Sequence, residues 1–160
     1  MRSTRFALMS VLLLVSSVLL AAQGESRPFS VVLDGHASPV FQPDGCTIIN
    51  DEQGTGHANH LGRITWQSHE TVDVCSNPDG GVVVGQITLT AANGDVVSGT
   101  YETLANLDFA AGQVTALGEF QITGGTGRFA NAAGEGIISA TGSLAPPFGV
   151  LGAMRGSITY

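Results

Sequence analysis

The chain has 160 residues, with thirteen acidic side chains against six basic ones, every basic one an Arg, and a formal net charge of −7. An acidic chain without Lys repels phosphate backbones and anionic headgroups, which argues against nucleic acid and a membrane surface as partners. Its length fits one domain built around one hydrophobic core.

Met1-Arg-Ser-Thr-Arg5, the apolar run Phe6–Leu20 and the small residues up to Gly24 read as a secretory signal peptide over residues 1–24. The run is short for a membrane span, which needs ~20 apolar residues. Residues 25–160 then form one secreted domain, extracellular or periplasmic, with no membrane association once the signal is removed. Residues 25–28 are a lead-in, and Phe29–Leu33 is the first strand. Cys46–Asn50 is a short second strand. Cys46 and Cys75 are the two cysteines, and in a secreted chain they pair as a disulfide. Gly56–Val74 holds one long strand or two, with Gly62 read as a bulge. Val82–Ala92 alternates, placing Ile87, Leu89 and Ala91 on one face. Asn93-Gly94-Asp95 is a hairpin signal of the two-residue kind, where positive φ angles are needed. Val96–Leu104 returns, and Gln113–Thr123, Gly136–Leu144 and Val150–Thr159 complete the set.

No segment of a dozen residues after the signal keeps a helical period. About eight strands in a meander, with no helical layer to cover them, must close on themselves or stack as two sheets. Closure removes exposed edges, and eight strands leave room for side chains or for one small ligand. The expected class is all-β, a single antiparallel eight-stranded barrel.

His57, His60 and His69, close to Asp51 and Glu52, raise the question of zinc. His57 and His60 are three positions apart and point to opposite faces of an unbulged strand, and His57 and His69 lie far apart on a continuous one. No metal and no cofactor are expected. His60, Gly62, Ile64 and Trp66 share a parity, and Ile64 and Trp66 mark that face as buried. His60 is then an interior polar group, either bonded to backbone or lining a pocket as an acid–base partner. Tyr101 shares a face with Val97, Gly99 and Thr103, and pointing inward it would meet His60. Glu119 and Glu135 read as solvated rim charges.

Gly124-Gly125-Thr126-Gly127 is followed by Arg128-Phe129. It lacks the Gly-Lys-Ser/Thr of a phosphate loop and the helix that must follow a dinucleotide fingerprint. Ile122-Thr-Gly-Gly-Thr-Gly-Arg-Phe129, with Gly134 at the start of the next strand, resembles instead the glycine hairpin of allene oxide cyclase and dirigent barrels, most closely their secreted bacterial members. The resemblance is detailed over roughly twenty residues. It implies the barrel fold, with Gly124, Gly125, Thr126, Gly127, Phe129 and Gly134 as a structural motif in which Phe129 plugs one end. The catalytic side chains of that family lie elsewhere, and none is matched here. The function expected is binding of a small apolar molecule among Ile64, Trp66, Ile87, Leu89 and Tyr101, with His60 as the polar contact. The alternatives are an isomerase or cyclase for a hydrophobic substrate, and an extracellular protein that oligomerises through an outward apolar strip at Val82–Val84.

Overall fold

A computed structural model describes residues 24–77 and 80–160. The expected signal peptide lies outside the described residues except for Gly24. Eight strands follow one another: β1 Arg27–Phe41, β2 Thr47–Ala58, β3 Gly62–Asp73, β4 Gly80–Ala91, β5 Val96–Asp108, β6 Gln113–Gly125, β7 Ala133–Ser143 and β8 Gly149–Thr159. Each pairs antiparallel with the next, and β8 pairs with β1, so the sheet is a closed barrel with no free edge. Alternation decides what faces in. Phe29, Val31 and Leu33 on β1, Ile64, Trp66 and Ser68 on β3, and Val97, Tyr101, Thr103 and Ala105 on β5 are buried, while their neighbours along the strand are largely solvated.

The two ends differ. At one end Phe29, Phe120, Phe129, Leu89, Met154 and Ile158 are fully buried and fill the interior. Gly124 to Phe129 lies across this end. A single 3-10 turn, Gly127–Phe129, carries the Phe129 ring inward to 0% exposure, 4.7 Å from the Tyr160 ring. Gly127 has φ 57°, and a Cβ there would collide with the Asp95 carboxylate, so only Gly fits. Arg128 then links three turns. It donates from Nη2 to the His60 carbonyl, lies 3.9 Å from Asp95 Oδ2, and stacks 4.8 Å above Phe129.

At the other end Cys46 and Cys75 form the disulfide, tying the β1–β2 loop to the segment after β3. Two matched turns present the cysteines. Asp44 Oδ1 accepts from the backbone N–H groups of Cys46 and Thr47, and Asp73 Oδ1 accepts from those of Cys75 and Ser76. The repeated Asp-x-Cys-Ser/Thr pattern is the sequence trace of this device, because short polar side chains after a strand favour such turns. The bridge closes a loop with a sequence separation of 29, so Cys46→Ser/Cys75→Ser is expected to lose ~3–4 kcal/mol in the chain-entropy model. Urea unfolding of the variant and the oxidised protein checks this, and equal midpoints would contradict it.

Three local expectations are corrected. Gly56–Val74 holds two strands, one of the two readings it allowed, but the short strand expected at Cys46–Asn50 is instead the start of a long β2 that begins at Thr47 and leaves Cys46 in the loop. Gly62 is no bulge. With φ 74° it ends a tight turn in which His60 also has positive φ, 70°. That turn is held from outside its own residues: Asn59 Nδ2 donates to the Pro28 carbonyl, and Asn59 Oδ1 accepts from Ser30 N. Around Asn93-Gly94 the loop has three residues, Ala92, Asn93 and Gly94, because Ala91 N donates to Asp95 O, and only Gly94 takes positive φ, 87°. Asn93 Oδ1 accepts from Asp95 N, and Gly94 N donates to Ala91 O, so the turn closes through a left-handed glycine.

The outer wall carries an apolar strip. Leu104 on β5 stands directly opposite Leu117 on β6, both about 60% exposed, with Val84 and Ile137 exposed beside them. Val84 belongs to the outward strip expected at Val82–Val84, while Val82 is half-buried.

Candidate functional site

Two adjacent inward rows on β2 and β3 bring polar side chains into the barrel. In one row Asn50 pairs with Glu70, Glu70 with Gly85, and Gly85 with Tyr101. In the next, Glu52 pairs with Ser68 and Ser68 with Ile87. Gly85 sits between Glu70 and Tyr101, and the missing side chain is what lets them meet. A Cβ on Gly85 would strike Tyr101 Cζ and lie 2.5 Å from its Oη. The ring therefore crosses β4, and Tyr101 Oη donates to Glu70 Oε2 at 2.6 Å.

Asn50 is the hub. Its Nδ2 donates to Glu70 Oε1 at 2.8 Å and to Glu52 Oε1 at 3.2 Å, while its Oδ1 accepts from Ser38 N. Ser68 Oγ donates to Glu52 Oε2 at 3.2 Å. Each of the four carboxylate oxygens thus accepts one hydrogen bond. Burial, and after it the charge of Glu70, raises Glu52 to about 7. Burial, then Glu70, pushes the Tyr101 phenol well above its usual range, so it remains a donor. A carboxyl that holds its proton near neutral pH beside a second carboxylate is chemically a proton donor–acceptor pair.

This cluster forms one wall of a cavity of about 200 Å³. The remaining walls are almost wholly apolar, among them Trp66, Val83, Ile87, Val114, Ile138 and Val150, and the lining extends to Phe41, Leu107 and Phe148 at the disulfide end. Trp66 is fixed by its Nε1, which donates to Thr55 O at 3.1 Å and Asp34 O at 3.3 Å. Thr103, two positions after Tyr101 on β5, also lines the cavity and is only 5% exposed.

Comparison with family models, curated proteins and solved structures finds no match. The functional reading rests on the chemistry of the cavity.

Of the residues expected to hold a ligand, Trp66, Ile87 and Tyr101 line the cavity together. Ile64 and Leu89 face inward but belong to the packed end, at 4% and 1% exposure. His60 does not line the cavity. It sits in the β2–β3 turn outside the barrel, its Nε2 2.9 Å from the Pro28 carbonyl and its ring against Tyr160. Parity along β3 failed there because the strand starts only at Gly62. The expected His60–Tyr101 pair is replaced by Glu70–Tyr101. His57 and His69 point outward, and His69 Nδ1 lies 2.6 Å from Asp51 Oδ1 on the exposed surface. Among the described residues, no three His, Cys, Asp or Glu converge as metal ligands.

Sequence reasoning places neither Asn50, Ser68 and Glu70 nor, despite the zinc question and the shared Tyr101 face, Glu52 and Thr103 among the ligand-holding residues. The parity that placed Ile64 and Trp66 inward extends to Ser68 and Glu70. Sequence alone does not show it, because carboxylates are almost never buried without a partner, and here the partners come from other strands.

Glu52 gives a pH prediction. A carboxyl raised above its unfolded value binds more protons when folded. Its contribution to stability is fully present below about 4.5 and is lost as pH rises through about 7. The loss is on the order of 3 kcal/mol. Thermal melts at pH 5 and pH 8 are expected to show a fall in Tm that Glu52→Gln largely removes. Parallel pH profiles for the two proteins would refute the assignment.

Proposed function

We propose that the protein is a secreted barrel of the allene oxide cyclase and dirigent type that binds one small apolar molecule in its interior. The cavity of about 200 Å³, walled by apolar side chains with a single polar cluster, carries this reading. Apolar cavities of ~150 Å³ already take up benzene-sized molecules, and a few converging polar groups are what orients a ligand in such a site. The Ile122–Phe129 hairpin supports the family. The signal-like N-terminus and the disulfide, which persists in oxidising compartments, support secretion. Trp66 is the sole Trp of the chain and stands in the cavity wall, so its fluorescence reports occupancy. Titration with 1-octanol is expected to give a saturable change, and a response that only tracks solvent composition counts against the proposal.

A second reading, self-association of barrels, is favoured by the strip of Val84, Leu104, Leu117 and Ile137. Charged residues share its rows: Val84, Glu102, Glu119, Ile137 and Arg155 follow one another across β4 to β8. A second copy laid across a two-fold axis would cover the apolar strip and set acid against base, the self-complementarity that a symmetric dimer needs. Light scattering tests it. A mass above one chain supports association, and a monomer at all concentrations rules it out.

A further inference from the structure

The cavity's polar cluster also constrains what its ligand must carry. Among the residues lining the cavity the ionisable side chains are Glu52, Glu70 and Tyr101, and none is basic. Above about pH 7, where Glu52 loses its proton, two carboxylates therefore share an apolar interior with no counter-cation. Removing a carboxylate from water is expensive unless it is paired.

The hydrogen-bond inventory has the same bias. The N–H and O–H groups of Asn50, Tyr101 and Ser68 are already committed to the carboxylates. Each carboxylate oxygen has a second lone pair to offer. With Glu52 ionised, as at pH 8, the cluster thus presents spare acceptors to the cavity and no spare donor of its own. Thr103 adds an independent observation. It is 5% exposed and inward, and it stands in the same wall as Tyr101, so a hydroxyl-bearing side chain lines the cavity beside the carboxylates. A hydroxyl in a cavity wall offers a ligand an acceptor. Trp66 and Tyr101 contribute ring surface in the same space, and aromatic faces attract cations.

We infer that the ligand is a hydrophobic amine: an alkylammonium whose charged head is held by Glu52 and Glu70, with Thr103 as a further acceptor, and whose hydrocarbon part fills the apolar walls toward Phe148 and Leu107. An ammonium brings three donors and one positive charge, which meet the spare acceptors and the missing counter-charge together. A carboxylate ligand would add a third negative charge to the site. An alcohol would supply one donor and no charge.

This inference rests on the proposed occupancy of the barrel by a small apolar molecule, and the experiment separates the two. Calorimetric titration of the oxidised protein at pH 8 compares n-octylamine, 1-octanol and octanoate. The expected result is octylamine at least about tenfold tighter than 1-octanol, a gap of ~1.4 kcal/mol, with octanoate not measurable. Glu52→Gln is expected to close most of that gap while 1-octanol still binds. Should that variant fail to fold, the three-ligand comparison on the unaltered protein decides alone. If 1-octanol matches or exceeds octylamine, the amine assignment is overturned and the apolar cavity reading stands. If none of the three binds, the inference fails together with the reading beneath it.

Discussion

Gly85→Ala is expected to destabilise the barrel by about 3 kcal/mol or more, a large loss for adding one methyl group. Gly85 is on β4, between Glu70 and Tyr101 in one register row, and the Tyr101 ring occupies the space where its side chain would be. A Cβ forces the ring aside. The overpacking alone costs ~1–3 kcal/mol. Moving the ring also breaks the 2.6 Å bond from Tyr101 Oη to Glu70, and a hydrogen bond to a charged group contributes ~1.5–3 kcal/mol. Glu70 is left in the interior with Asn50 as its remaining donor. Because both costs act through Tyr101, they should vanish together. In a Tyr101→Ala background Gly85→Ala is expected to be close to neutral, giving a coupling of at least ~2 kcal/mol in a double-mutant cycle. Additive effects of the two substitutions in urea unfolding would show that Gly85 is not there to admit the ring.

Phe129→Ala is expected to cost ~3–5 kcal/mol, the range for deleting a buried aromatic ring, and to lower Tm by roughly 10 °C or more. The ring is 0% exposed and packs against Tyr160 at the filled end. Its loss opens a void where the β6–β7 hairpin folds back under the barrel, and the surrounding backbone is too constrained to close it. Gly127 is pinned against Asp95, and Phe129 N and Ala132 N are bonded within the turn. Neighbouring Arg128 is half-exposed and holds the turns only from outside, so Arg128→Ala should cost about 1 kcal/mol or less. Differential scanning calorimetry separates the two, and a Phe129→Ala loss no larger than that of Arg128→Ala would refute the role of plug.

What the sequence made legible follows from how local each signal is. The barrel was readable because period-2 alternation repeats from strand to strand and no helix competes with it. The plug was readable because its glycines and Phe129 lie within one short segment. The β2–β3 turn was not, since its tip is Asn59-His60-Leu61 rather than a glycine or proline pair, and its hydrogen bonds reach back to Pro28 and Ser30 on another strand. Misplacing that turn put His60 inside the barrel. The carboxylate cluster was hidden for a related reason. Asn50, Glu70, Gly85 and Tyr101 are scattered along the chain, and only the register of four strands aligns them. Asp51 and Glu52 are adjacent in sequence but face opposite sides of the wall, one with His69 on the surface and one with Ser68 inside.

The central claim is that the space between the polar cluster and the disulfide-bearing end is a ligand site. Native mass spectrometry of the disulfide-intact protein, purified from its own source without organic solvent, tests it most directly. The account predicts one small-molecule adduct per chain, released by collisional activation and replaceable by added octylamine. A single bare-chain mass, unchanged when octylamine is added in excess, would contradict it.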